Sequence, residues 1–191
     1  MNMTLAALLF LQILAAKPML DNEYFQVFRN SAPCAAAAAS CGDRVVVALA
    51  AVEINGQKME RGDIQVFKMG QRYSPPKSGD YLEVDVKPGH PKVMAPNAGT
   101  PPPPGNKVLY DGKDFTVFAE QMEPGETSSN HSHNTRLAIY LNKTRVQQWT
   151  DGKSETRDLE PDVVVFRPPV VHISKDVGKV PIRNLLIEFK P

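Results

Sequence analysis

Residues 125–141 read GETSSNHSHNTRLAIYL. A polar segment rich in turn-forming residues leads into Arg136-Leu137-Ala138-Ile139-Tyr140-Leu141, a short apolar run of the kind that forms a buried β-strand. His131 and His133 lie two apart just ahead of that run, so on a strand their side chains share one face of the sheet. His172 follows 39 residues after His133. It comes after Val163 to Phe166, which reads as strand interior, and after a turn at Pro168-Pro169. In a small barrel of antiparallel strands such a residue returns to face the first two. Imidazole is the commonest protein ligand for a transition metal, and three of them leave open positions for water or substrate. His131, His133 and His172 are therefore the candidate metal ligands, and a divalent transition metal is the candidate cofactor. The competing reading is a metal-free polar pocket of hydrogen-bonded structural histidines. Three histidines without a carboxylate suit iron(II), nickel, copper or zinc alike.

Moving outward, the strand after the histidines has an earlier partner. Arg136 to Leu141 matches Arg44-Val45-Val46-Val47-Ala48-Leu49. Asp114-Phe115-Thr116-Val117-Phe118 matches Tyr24-Phe25-Gln26-Val27-Phe28. Pro161-Asp162-Val163-Val164-Val165-Phe166 matches Gly62-Asp63-Ile64-Gln65-Val66-Phe67. Leu185 to Pro191 resembles the end of Tyr81-Leu82-Glu83-Val84-Asp85-Val86-Lys87-Pro88. Four blocks in one order indicate an internal duplication, and the growing offset implies loop insertions in the second copy. Both copies read as all-β: short segments rich in Val, Ile, Phe and Tyr, punctuated by Asn55-Gly56, Asp111-Gly112 and Asp151-Gly152. Such a pattern points to a sandwich or a closed barrel. No matched position in the first copy keeps a histidine: Ala39 falls opposite His131, Cys41 opposite His133 and Tyr73 opposite His172. That copy is expected to be structural, or to offer a lid or a homodimer surface to the second.

Pro96 to Asn106 (PNAGTPPPPGN) separates the copies. Successive prolines lack the N–H groups a strand or helix interior needs, so the tract reads as a semi-rigid linker. The expected organisation is residues 21–91, a linker over 92–106, and 107–191. At the other end, Leu5 to Ala16 is apolar apart from Gln12. It is too short for a membrane span and suits the core of a cleaved export signal over residues 1–16, although no Lys or Arg precedes it. The alternative is a buried N-terminal helix or strand. No second apolar span follows, so the mature protein is expected off the membrane, in the periplasm or outside the cell. Cys34 and Cys41 would close a short disulfide loop there, or remain two thiols. With 22 Lys and Arg against 21 Asp and Glu, the chain lacks the charge excess of a nucleic-acid binder; the expected partner, from the histidine site, is a small-molecule ligand.

Gly125, five intervening residues and His131-Ser132-His133 resemble the first motif of the cupin superfamily. Phe166-Arg167-Pro168-Pro169-Val170-Val171-His172 is similar to its second. The resemblance covers most of Lys107 to Pro191, with a degenerate, ligand-free version over Asn22 to Pro88. It implies two jelly-roll β-barrels, as in a bacterial bicupin, often with one divalent metal inside a barrel. The glutamate that the family carries four or five residues beyond the second histidine is replaced by Leu137 or Ala138, and the second-motif glycine is absent. Glu126 and Gln121 are the candidates to stand in for that glutamate. Arg136, if it faces inward, is a candidate to bind a carboxylate substrate; otherwise it is a surface arginine at a strand end. Tyr140 and Trp149 are candidate pocket-lining aromatics, and Arg61-Gly62-Asp63 is a turn before a strand. No catalytic acid, base or nucleophile stands at a telling spacing. Three functions compete: metal-assisted chemistry on a small molecule such as oxygenation or isomerisation, small-ligand binding without turnover, and a purely structural pair of barrels.

Overall fold

The computed structural model describes residues 16–36, 39–91, 93 and 106–191. The expected export signal and the proline linker lie almost wholly outside these residues. The described chain is all strand and turn, with no helix. Its first half runs β1 (Leu20–Asp21), β2 (Phe25–Arg29), β3 (Asp43–Ala48), β4 (Val52–Ile54), β5 (Gln57–Met59), β6 (Ile64–Phe67) and β7 (Tyr81–Val86). Its second half runs β8 (Lys107–Asp111), β9 (Phe115–Met122), β10 (His131–His133), β11 (Arg136–Tyr140), β12 (Thr144–Thr150), β13 (Lys153–Leu159), β14 (Val164–Arg167), β15 (Val170–Asp176) and β16 (Ile182–Phe189).

Local chemistry explains the hairpins. Asn55-Gly56 and Asp151-Gly152 hold positive φ at both positions, 50° and 76° in one and 51° and 74° in the other. Two such residues make the tight turn whose twist matches paired strands. They join β4 to β5 and β12 to β13.

Two five-stranded antiparallel sheets dominate, in the orders β1-β2-β7-β3-β6 and β14-β11-β16-β9-β8. Alternate residues of the central strands enter one shared core. Phe25, Val27, Val45, Val47, Leu82 and Val84 come from the first sheet; Phe115, Val117, Leu137, Ile139, Ile187 and Phe189 come from the second. Strand alternation sends the residues between them to the far face of each sheet. In the second half that far face meets the four-stranded sheet β10-β15-β12-β13, and Ala138, Tyr140, Val146, Leu159, Ile182 and Leu186 cluster between the two layers. In the first half it meets the β4–β5 hairpin, through Val46, Ala48, Ile54, Met59, Phe67 and Tyr81.

Two expectations need correction. The sheets remain open, where closed barrels were expected. Pro168 and Pro169 separate β14 from β15, and without N–H groups they carry the chain from one layer to the other instead of continuing a ladder. The second correction concerns register. Arg44 pairs with Phe67, and Arg136 pairs with Arg167. Phe67 is therefore placed like Arg167, one residue away from the Phe166 that the sequence match assigned. A slip of one residue exchanges the faces of a strand, so a position read as apolar holds an arginine. Cys34 and Cys41 form a disulfide.

Candidate functional site

The H-x-H spacing and one strand pairing assemble the site. β10 runs antiparallel to β15 with His131 directly opposite His172, and His133 lies two residues along on the same face. All three imidazoles are buried, at 1%, 4% and 5% exposure. His131 Nε2 lies 3.1 Å from His133 Nε2 and 3.0 Å from His172 Nε2. The rings meet edge-on, with interplanar angles of 80°, 69° and 82°.

The opposite nitrogens report the protonation pattern. His131 Nδ1 is 2.8 Å from Ser129 O, and His133 Nδ1 is 2.7 Å from Glu188 Oε2. A carbonyl and a carboxylate only accept, so both Nδ1 atoms carry the hydrogen and both rings, when neutral, present Nε2 lone pairs. Glu188 is itself anchored, because its Oε1 accepts the Asn134 N–H at 2.8 Å. Burial pushes His131 and His172 below the usual histidine range, and the neighbouring imidazoles add to the shift. Two neutral nitrogens facing each other at 3.1 Å repel unless a proton or a cation lies between them.

His172 is oriented differently. Arg157 Nη2 donates to Gln148 Oε1, and a guanidinium cannot accept, so the Gln148 amide nitrogen is the atom that faces Ser174 Oγ at 2.8 Å and His172 Nδ1 at 3.2 Å. His172 Nδ1 therefore accepts, and its Nε2–H points at His131. For His172 to offer Nε2 to a metal, the Gln148 amide must turn its oxygen to the ring, which takes that acceptor away from Arg157.

The donor set fits an ion. Nitrogens each about 2.1 Å from one metal stand about 3.0–3.4 Å apart, which is the spacing between these Nε2 atoms. Fixing Nδ1 with a carboxylate and a carbonyl is how metal-bound histidines are held in tautomer and orientation. Among the described residues His131, His133 and His172 form one cluster able to hold an ion; no carboxylate belongs to it. Leu137 points into the shared core, and Ala138 faces the pocket without a donor. Glu126 and Gln121 are exposed and bonded around Glu123, so neither substitutes for the missing glutamate.

Arg136 is buried and faces inward, which removes the surface-arginine reading. Its Nη1 reaches Asn134 O and Pro168 O at 3.3 Å each. Desolvation lowers its pKa to about 10, leaving it charged at neutral pH. Tyr140 also faces the site, where its hydroxyl accepts from Arg167 Nη2 at 2.8 Å. Trp149 does not: it projects from the other face of β12, beside Asn130 and Ile173. A space of about 40 Å³ between the layers, room for an ion and a few waters, is lined by His133, His172, Arg136 and Tyr140. An open recess of about 600 Å³ adjoins it beyond Arg136, Gln148 and His172.

Sequence reading missed Glu188, Gln148, Arg157 and Arg167. Glu188 left a signal, for it is the acidic counterpart of Asp85 in the repeat. Arg167 was hidden by the one-residue slip. Arg157 and Gln148 lie on strands with no apolar alternation to mark an inward face.

Among solved structures, the chain is similar to a cupin 2 conserved barrel domain protein from Leptotrichia buccalis, at 15% identity over 91% of this chain and 88% of that one, with a TM-score of 0.54. It is also similar to AerE from Microcystis aeruginosa, at 14% identity over 92% of this chain and 97% of that one, with a TM-score of 0.51. A cupin domain from Bordetella pertussis matches at 21% identity over 50% of this chain and 100% of that one, with a TM-score of 0.43. No family model and no curated protein matches the chain. The chain shares its fold with the cupin 2 conserved barrel domain protein and with AerE.

Proposed function

We propose that this chain is an exported two-domain cupin whose second domain holds a divalent transition metal on His131, His133 and His172 and binds or transforms a small molecule beside it. The observation that carries this reading is the convergence of three buried Nε2 atoms within a few ångströms, two of them with Nδ1 already committed to Glu188 and Ser129. A metal held there would supply Lewis acidity at positions left open to the ligand. The chain's own groups do the rest. Glu188 keeps the proton on His133 Nδ1, Arg136 and Tyr140 line the ligand space, and the apolar cluster of Ala138, Val146 and Leu186 limits water.

The duplication behind this reading, with domains over 21–91 and 107–191, is supported by backbone and side-chain bonds that recur in register. Gly42 N–H donates to Asp85 Oδ1 at 2.7 Å as Asn134 N–H donates to Glu188. Arg44 Nη1 donates to Gly42 O and Lys68 O as Arg136 Nη1 donates to Asn134 O and Pro168 O. Gly62 N–H reaches Ala48 O as Asp162 N–H reaches Tyr140 O. The first domain, having no histidine at these positions, would be structural. Export is supported by the apolar segment Leu5 to Ala16 and by a disulfide that suits an oxidising compartment.

Elemental analysis of the purified chain beside a His131→Ala/His133→Ala variant tests the metal. Stoichiometric metal that disappears in the variant is the expected result. Absence of metal from both, with no change in thermal stability on adding divalent ions, would favour the structural reading. Export is tested by the N-terminus of protein recovered from the cell envelope or medium, where a chain beginning at Met1 contradicts cleavage.

A further inference from the structure

We infer that the recess beside the histidines recognises a small oxyanion-bearing ligand, a carboxylate or a phosphate, through Arg136, Arg157 and Arg167. The inference takes only its location from the metal-binding reading. The three guanidiniums come from β11, β13 and β14 and line one recess together with His172. Arg136 and Arg167 stand directly opposite each other across a strand pair. Like charges in that position repel, and a sheet tolerates them only where something neutralises them.

No carboxylate of the described residues pairs directly with any of the three, while Arg29, Arg61 and Arg145 all make ion pairs. Their hydrogen bonds go to neutral acceptors: two main-chain carbonyls, the Tyr140 hydroxyl and the Gln148 amide. Arg157 Nε is buried with no acceptor. Of the nearby acids, Glu188 holds His133 and Asn134, Glu120 accepts from Asn184 Nδ2 at 2.6 Å, and Asp151 and Glu155 stand exposed at the rim of the recess. Arg157 would lose its Gln148 acceptor as well once that amide turned to serve metal-bound His172. A guanidinium offers planar pairs of donors that match carboxylate and phosphate oxygens. At the rim Lys153 adds a fourth cation and Asp151 and Glu155 add two carboxylates, so the lining keeps a positive excess.

Calorimetric titration of the full chain with inorganic phosphate and with malonate, before and after treatment with a chelator, tests this. At least one probe should bind, and Arg157→Gln/Arg167→Gln should weaken it about tenfold or more with metal content unchanged. Arg183→Gln, an exposed arginine away from the recess, should leave the affinity as it was. Arg157→Lys, which keeps the charge and loses the fork, provides a milder variant if the double one fails to fold; it should weaken binding too. The tighter probe identifies phosphate or carboxylate as the preferred group. No binding of either probe at concentrations on the order of 10 mM overturns the inference. So does unchanged affinity in the recess variants, or an equal loss in Arg183→Gln. A chain that holds no metal yet binds the anion through these arginines would overturn the metal reading and leave this one intact.

Discussion

Arg44 and Arg136 hold matching places in their sheets, and their surroundings differ in what is left over. Arg44 is fully buried; its Nη atoms donate to three main-chain carbonyls, those of Gly42, Lys68 and Gln71, and its Nε alone is left without an acceptor. Around it, Asp85 takes the Gly42 N–H, and Glu83 takes the Cys34 N–H and the Tyr73 hydroxyl. The Cys34–Cys41 disulfide lies beside Asp85, close to where the other half carries His133. Arg136 makes two long bonds, its neighbour at the Phe67 position is a second arginine, and the Glu83 position is Leu186. Apart from Arg44 Nε, one half closes its polar groups on one another. The other leaves imidazole and guanidinium groups facing a common space, and unspent groups are what a ligand can use.

That contrast can be broken most strongly at Arg44. Arg44→Ala strands buried carbonyls and carboxyls, so it should destabilise the chain by about 3–5 kcal/mol in urea unfolding. Arg136→Ala, losing two weak bonds and a repulsive neighbour, should cost well under half of that. A similar loss from both variants would show that the second site is as closed as the first. Cys34→Ser/Cys41→Ser should cost about 2–3 kcal/mol, for a loop of 7 residues' separation, and leave metal content untouched.

Smaller effects sharpen the same comparison. Glu188→Gln should weaken metal binding about 10- to 100-fold, read by competition with a chelator, because the carboxylate that orients His133 is lost. Asp85→Asn, its counterpart, should leave metal affinity unchanged. The halves also answer pH with opposite sign. Burial, then the neighbouring imidazoles and Arg136 and Arg157, holds His172 below its unfolded value of 6.5. The unfolded chain thus binds more protons as pH falls, and the metal-free protein should lose stability from about pH 7 to 5. His172→Gln should flatten that slope. Glu83 and Asp85 are shifted upward, chiefly by burial, so their contribution is present below about pH 4 and is lost as pH rises through the raised values. Glu83→Gln should therefore be neutral or slightly stabilising at pH 7, the smallest of these effects.

Much of this was legible in the chain, and the failures have physical causes. The strands around Val45, Leu137 and Ile187 declare themselves as short β-branched and apolar runs. The H-x-H pair declares a shared face. The block carrying Asp85 and Glu188 was visible, but an acidic residue near a chain end says nothing of the imidazole it will hold. Phe166 was matched to Phe67 because both close an apolar run, whereas pairing to Arg44 and Arg136 shows Arg167 in that place. The cysteines were ambiguous, since their spacing alone does not bring two sulfurs together.

The sequence by itself determined an all-β chain and put His131 and His133 on one side of a strand. Both follow from the two-residue period of an extended backbone, a property of local covalent geometry. The tertiary structure alone decided that His172 faces His131, that Glu188 holds His133, and that Arg136, Arg157 and Arg167 meet around one recess. Those relations depend on the register of strands far apart in the chain, and a slip of a single residue in any of them would turn the side chains away.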